Sequence, residues 1–201
     1  MVPGIVLAAG EARRMGREKL LLDLGGKPVL QWVLEAALSS DLDEVLCVVR
    51  ELSEMEKAIR LRNRRLRWIV NESATAGQST SIVAGLRAIS PQSDGALFLV
   101  GDQPMVEKEI INRLLALFRD SAALIVAPVF RGQTRNPVLF CRDLFPELLD
   151  LKGDQGGRVL LERNRGRAAF LEWHEESPFV DVDTWEDYQR LKLLHIGKGE
   201  R

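Results

Sequence analysis

The sequence predicts an α/β fold in three layers: a mostly parallel sheet between two layers of helices. Three observations carry this. Short, wholly apolar runs recur at residues 5–9, 45–49, 96–100 and 124–129, as strands buried on both faces require. Between them lie segments of helical length whose apolar residues fall three and four apart. The two kinds alternate along the chain, which sets successive strands side by side in parallel.

Taken in order, residues 5–9 form a buried strand ending at Gly10. Residues 28–40 read as a helix, with Pro28 at its start and Val29, Leu30, Val33, Ala36 and Ala37 along one face. A strand over 45–49, a helix over 51–61, a short strand over 67–70 and a helix over 79–89 follow. A strand over 96–100 leads to a helix over 107–118, in which Ile110, Ile111, Leu114, Leu115 and Phe118 share one side, and then to a strand over 124–129. Beyond Pro128 the pattern loosens. Residues 131–137 form a polar loop, and 137–141 a strand outside the alternation. Residues 142–150 and 158–163 are helical, around a glycine-rich stretch at 153–157. Residues 179–182 read as a short strand, and 184–194 as a closing helix with Thr184 near its N-cap. Residues 1–194 are expected to form one domain and 195–201 a frayed tail.

Composition narrows the function classes. The 201 residues carry 28 Lys plus Arg against 29 Asp plus Glu, a net charge of −1. That balance argues against a dedicated nucleic-acid or membrane-surface binder. Six basic residues fall between Lys57 and Arg67, but Trp68 alone supplies an aromatic neighbour, and the run reads as a solvated helix face and loop. Cys47 and Cys141 sit among apolar residues and read as core thiols. With two cysteines and two histidines, a structural zinc site is not expected. We read no signal peptide, and no run reaches the ~18 apolar residues a membrane span needs, so the expected location is the cytoplasm. His174 and His195 lie outside every motif and read as surface residues, while Trp68, Trp173 and Trp185 read as packing residues.

Three motifs carry chemistry. The first runs from Ile5 to Lys19: a buried strand enters a loop with Gly10 and Gly16 and the cations Arg13, Arg14, Arg17 and Lys19. Ligands of α/β sheets bind beyond the carboxyl ends of the strands, where glycines let backbone N–H groups approach an anion and Arg or Lys supplies charge. The spacing matches neither common phosphate-loop pattern, because Gly16 is followed by Arg17 and no Gly-x-Gly-x-x-Gly is present; the latter absence sets a dehydrogenase aside. The second is Gly101-Asp102-Gln103-Pro104, directly after an apolar strand. A carboxylate there faces the same crevice and suits Mg²⁺, which takes few carboxylates beside phosphate oxygens and water. The third is Asp181-Val182-Asp183-Thr184, in which period-two alternation along a strand puts both carboxylates on one face. One or both can complete a metal site, and Asp183 can alternatively cap the following helix.

Together these motifs resemble a known family. The pattern Leu7-Ala8-Ala9-Gly10-x-x-x-Arg14-Met15-Gly16-x-x-Lys19-Leu20-Leu21-Leu22, then Gly-Asp-Gln-Pro, then Asp181-Val182-Asp183-Thr184-x-Glu186-Asp187-Tyr188, is similar to the MobA-like molybdenum-cofactor nucleotidyltransferases, nearest the molybdopterin cytidylyltransferase branch. Residues 76–86, 128–140 and 153–158 resemble further family segments, so the likeness covers about residues 3–190. It implies a Rossmann-like sheet of the nucleotide-diphospho-sugar transferase type. The implied reaction moves CMP from CTP to the terminal phosphate of molybdopterin and releases pyrophosphate. By position, Arg14 and Lys19 would hold the triphosphate. Asp102 would bind Mg²⁺, with Asp183 as second ligand and Asp181 as a further candidate. Leu7, Ala8, Ala9, Gly10, Gly77 and Ser81 would line the nucleotide. In this family Ala-Ala-Gly accompanies CTP and Ala-Gly-Gly accompanies GTP, since the Cβ of Ala9 fills space a purine needs.

Two departures stand out. Ala12 replaces a frequent serine, and Arg135 precedes Asn136-Pro137 where the branch usually has glycine. Arg135 either selects a different phosphate acceptor or adds a contact to the same one. No general base is required, because a phosphate acceptor is already ionised, and charge neutralisation is the main task. The rival readings are guanylyl transfer, cytidylyl transfer to a sugar or polyol phosphate, and a non-catalytic cofactor carrier that delivers to a molybdoenzyme. A carrier would not need Arg14, Lys19 and Asp102 together.

Overall fold

The computed structural model describes residues 1–10 and 19–196. Arg14, with the rest of residues 11–18, lies outside the described residues, as do residues 197–201.

The sheet is built on β1 (Gly4–Ala8), which pairs in parallel with β4 (Val45–Val49) on one side and β6 (Gly95–Val100) on the other. Beyond β4 lies β5 (Leu66–Val70). Beyond β6 the order continues through β9 (Val138–Cys141) and β7 (Ile125–Phe130) to β10 (Ala168–Glu172). β9 is antiparallel to both neighbours, and the two-residue β8 (Gln133–Thr134) folds back on β7. A small ribbon, β2 (Asp23–Leu24) with β3 (Lys27–Pro28), stands apart from the sheet.

Period-two alternation divides each central strand between two apolar layers. In β1, Val6 and Ala8 face one layer, with Leu30, Val33 and Leu34 of α1 (Val29–Ser39) and Ile110, Ile111, Leu114 and Leu115 of α4 (Lys108–Asp120). Ile5 and Ala9 face the other, with Ile82 and Leu86 of α3 (Gln78–Ala88), Leu148 of α5 (Phe145–Leu149) and Leu160 and Leu161 of α6 (Arg158–Arg163). This two-sided burial is why these strands lack polar positions. The remaining helices are α2 (Leu52–Ala58) and α7 (Trp185–Ile196).

Four expectations are corrected. Residues 179–182 are not a strand: a 3₁₀ turn, Ser177–Phe179, leads into irregular chain. β10 was not anticipated; it is a half-buried edge strand, and Ala168-Ala169 carries little β signal. The second helix is shorter than expected, ending at Ala58. Cys47 is fully buried, and desolvation pushes its thiol pKa up, but Cys141 is only half-buried. No helix among the described residues is long and apolar enough to cross a membrane.

Candidate active site

The strand ends define the site. β6 delivers Asp102 one residue past Gly101, whose N–H donates to the Leu7 carbonyl at 2.9 Å. A Cβ at position 101 would stand 3.2 Å from that of Ala8 and 3.1 Å from Leu30 Cδ1, so glycine lets the two strand ends close up. Lys19 begins a 3₁₀ turn, Lys19–Leu21, anchored by buried Leu20.

The acidic segment comes from the far end of the chain. Val182 is fully buried and donates its N–H to the Asp102 carbonyl at 2.9 Å. Asp181 and Asp183 flank it and are thereby carried to the end of β6. Their proximity to Asp102 does not depend on a shared strand face, because there is no strand. Asp183 does not cap the helix either. Thr184 Oγ1 accepts the Asp187 N–H at 3.1 Å while Asp187 Oδ2 accepts the Thr184 N–H at 2.9 Å, a reciprocal cap that leaves the Asp183 carboxylate for other work. The Tyr188 hydroxyl donates to the Asp23 carbonyl and ties α7 to the β2–β3 ribbon.

Lys19 joins the pieces. Its Nζ donates to Asp102 Oδ2 at 2.6 Å and to Asp183 Oδ1 at 3.0 Å, and its side chain is 16% exposed. Burial pulls the ammonium pKa down, but attraction and hydrogen bonding from Asp102 and then Asp183 outweigh it and raise it above the ordinary value. Asp181 behaves oppositely. Desolvation and then repulsion from Asp102 push its carboxyl up to about 6, against the hydrogen bond that Gln103 Nε2 donates to it at 2.9 Å. Gln103 was not among the expected site residues, although it stands inside the Gly-Asp-Gln-Pro motif.

A crevice of about 560 Å³ opens beside this cluster. Leu7, Gln78, Phe98, Gln103, Arg135 and Asp181 are on its walls. Ala8 and Ala9 are buried beneath the strand end, and Gly10 is exposed. Gly77 and Ser81 sit at the start of α3, next to Gln78, but their immediate surroundings give each a structural task. Gly77, at φ +112° and ψ 168°, packs so closely that a Cβ would stand 2.3 Å from the Gly153 carbonyl group. The hydroxyl of buried Ser81 accepts a hydrogen bond from Asn71 Nδ2 at 2.9 Å.

No group of three His, Cys, Asp or Glu residues poised for a metal occurs among the described residues. Asp102 and Asp183 nevertheless converge on one positive charge, the Lys19 ammonium. A pair of carboxylates suits Mg²⁺ or Mn²⁺, which complete their shells with water and phosphate oxygens.

The chain resembles known proteins in sequence and in fold. The chain is 36% identical over 197 residues to the purine catabolism protein PucB of Bacillus subtilis, covering 94% of this chain and 95% of PucB. It is 36% identical, over an alignment 228 positions long, to a probable molybdenum cofactor guanylyltransferase of Methanosarcina acetivorans, covering 98% of this chain and 92% of that protein. The structure of Rv0371C of Mycobacterium tuberculosis in complex with manganese superposes with a TM-score of 0.79 at 27% identity, covering 96% of this chain and 98% of that one. The fold is that of the nucleotide-diphospho-sugar transferases, a mostly parallel mixed sheet with helices on both sides. The family model for the MobA-like NTP transferase domain matches residues 4–168, and the chain belongs to that family of nucleotidyltransferases.

Proposed function

We propose that this nucleotidyltransferase moves CMP from CTP to the terminal phosphate of a molybdopterin-type cofactor, with Mg²⁺ as the ion. The observation that carries the reading is the bridge from Lys19 to Asp102 and Asp183, which gathers a cation and two carboxylates where β1 and β6 end.

In the reaction an oxygen of the acceptor phosphate attacks the α-phosphorus of the nucleotide. The bond from that phosphorus to the β-phosphate bridge breaks, and pyrophosphate leaves with the electron pair. Asp102 and Asp183 would hold Mg²⁺, which supplies positive charge to offset the repulsion between two anionic substrates. Lys19 stays protonated, as its raised pKa requires, and offers its charge to phosphate oxygens. Arg14 is assigned to the triphosphate by its place in the first motif. Asp181 stands next to the pair and adds negative charge once ionised. Gln103 fixes its carboxyl.

The base assignment rests on Ala8-Ala9-Gly10. Both alanines are buried, and the Cβ of Ala9, on the α3 side of the sheet, takes space that a glycine there would leave to a purine. Leu7 contributes to the crevice wall, and Gly77 and Ser81 shape the start of α3 beside it. The acceptor assignment rests on the family resemblance and on the cofactor named for one relative. The proposed location is the cytoplasm, and a molybdoenzyme would be the recipient of the product. The test is pyrophosphate release by purified protein with Mg²⁺, CTP or GTP, and Mo-molybdopterin present or absent. Release with CTP and cofactor together supports the reading. Release with GTP instead keeps the reaction and changes the base. Tight cofactor binding without release from either nucleotide favours a carrier.

A further inference from the structure

We infer that Arg135 is the anion-recognising residue for the acceptor substrate, which is a phosphomonoester. The inference rests on the nucleotidyl-transfer reading.

Arg135 lines the crevice, in the chain between β8 and β9. Its backbone is held, because its N–H donates to the Pro128 carbonyl at 2.9 Å. One end of its guanidinium is held too, with Nη2 donating to Gln133 Oε1 at 2.9 Å. Its Nε–H is buried and has no hydrogen-bond partner among the described residues. Buried donors are nearly always satisfied, so an unpaired one on a substrate-sized crevice marks a place where something else accepts.

The other guanidinium groups of the crevice have partners. Arg158 pairs with Glu162 at 3.1 Å, and Arg165 stacks 5.2 Å above the Phe170 ring. Arg135 thus keeps one N–H without a protein acceptor, on a planar fork of donors that suits phosphate oxygens. Asp181 shares the crevice, and the chain just before β9, which carries Arg135, lies at the same end of the sheet as the carboxyl end of β6, where Asp102 follows. The guanidinium offsets the charge of the acceptor while the nucleotide's own charge is met by Lys19.

Two measurements test this. In steady-state pyrophosphate release with CTP, Mg²⁺ and Mo-molybdopterin, Arg135→Ala should raise the acceptor KM about ten- to a hundredfold. The CTP dissociation constant should move by less than about threefold, and Arg135→Lys should recover only part of the loss. The urea midpoint of Arg135→Ala should change little, because the Nε–H it removes is unpaired and the bond it loses, to Gln133, is exposed. A purely structural role would lower that midpoint and leave KM alone. The second measurement needs no turnover. The Arg135 Nε–H signal in a ¹⁵N correlation spectrum, assigned by its loss in Arg135→Lys, should shift to saturation with phenyl phosphate and stay put with phenol. If the wild type turns over but KM is unchanged in Arg135→Ala, the inference is overturned and the function stands. If the wild type is silent yet the Nε–H signal shifts, Arg135 is supported and the proposed acceptor or base is wrong. An unmoved Nε–H signal overturns the inference in either case.

Discussion

Val182 gives its backbone N–H to the Asp102 carbonyl at 2.9 Å while its side chain is fully buried, and this links two motifs 80 residues apart in sequence. The buried valine is the anchor, and the carboxylates on either side are carried by it. Val182→Ala should lower stability by about 1.5–3 kcal/mol, from lost burial and the cavity left behind. It should also weaken Mn²⁺ binding, because Asp183 loses its support. Urea denaturation and metal titration of the same variant check both effects; intact metal affinity would detach Asp183 from this anchor.

Lys19 carries the pairing of the two carboxylates. Lys19→Ala should cut turnover about 100- to 1000-fold, the usual cost of removing one stabilising donor from a reaction centre. Lys19→Arg keeps the charge but not the compact ammonium that fits between Asp102 and Asp183, and should restore only part of the rate. Pyrophosphate release measures both variants.

Gly77 is required by backbone geometry. At φ +112° and ψ 168° it occupies a region that only glycine adopts freely, and it abuts Gly153. Gly77→Ala should cost about 1–3 kcal/mol from strain alone, with the clash adding to it. Gly166→Ala, where a Cβ meets open space, should cost little. A difference in urea midpoint between the two variants is the readout, and equal midpoints would count against the close approach of the two glycine segments.

Asp181 sets a pH dependence of the metal-free protein. Its carboxyl is pushed from the ordinary 3.8 up to about 6, so within this window the folded chain holds a proton that the unfolded chain has released. Raising the pH through the window therefore removes stability. Asp181→Asn abolishes the effect and still accepts the bond from Gln103. In EDTA, the stability of Asp181→Asn minus that of the wild type should grow from pH 4 to about 6 and level off above it. A flat difference would contradict the shifted carboxyl.

Much of the sheet was legible because buried parallel strands are nearly pure apolar runs, as in residues 4–8, 45–49 and 95–100. What escaped lies where periodicity says little. β10 is an edge strand that is half-buried up to its exposed last residue, so neither alternation nor an apolar run betrays it. Residues 180–183 alternate as a strand does, but Val182 makes one backbone hydrogen bond, to Asp102 just past β6, rather than joining a ladder. In the site, Asp102 and the basic loop could be placed at strand ends from the residues alone. The contact of Lys19 with Asp183 spans 164 positions, and no local pattern encodes it. The family resemblance assigned both residues to one site. The orphaned Nε of Arg135 is a property of packing, visible only once the chain is folded.

The most direct test of nucleotidyl transfer follows the label. Purified protein with Mg²⁺ and Mo-molybdopterin is given CTP labelled at the α-phosphate or, separately, at the γ-phosphate. We expect the α label to appear in a cytidine dinucleotide of the cofactor and the γ label in pyrophosphate, with both signals lost in Asp102→Asn. Label from the γ-phosphate on the cofactor, or transfer that survives Asp102→Asn, would contradict the account.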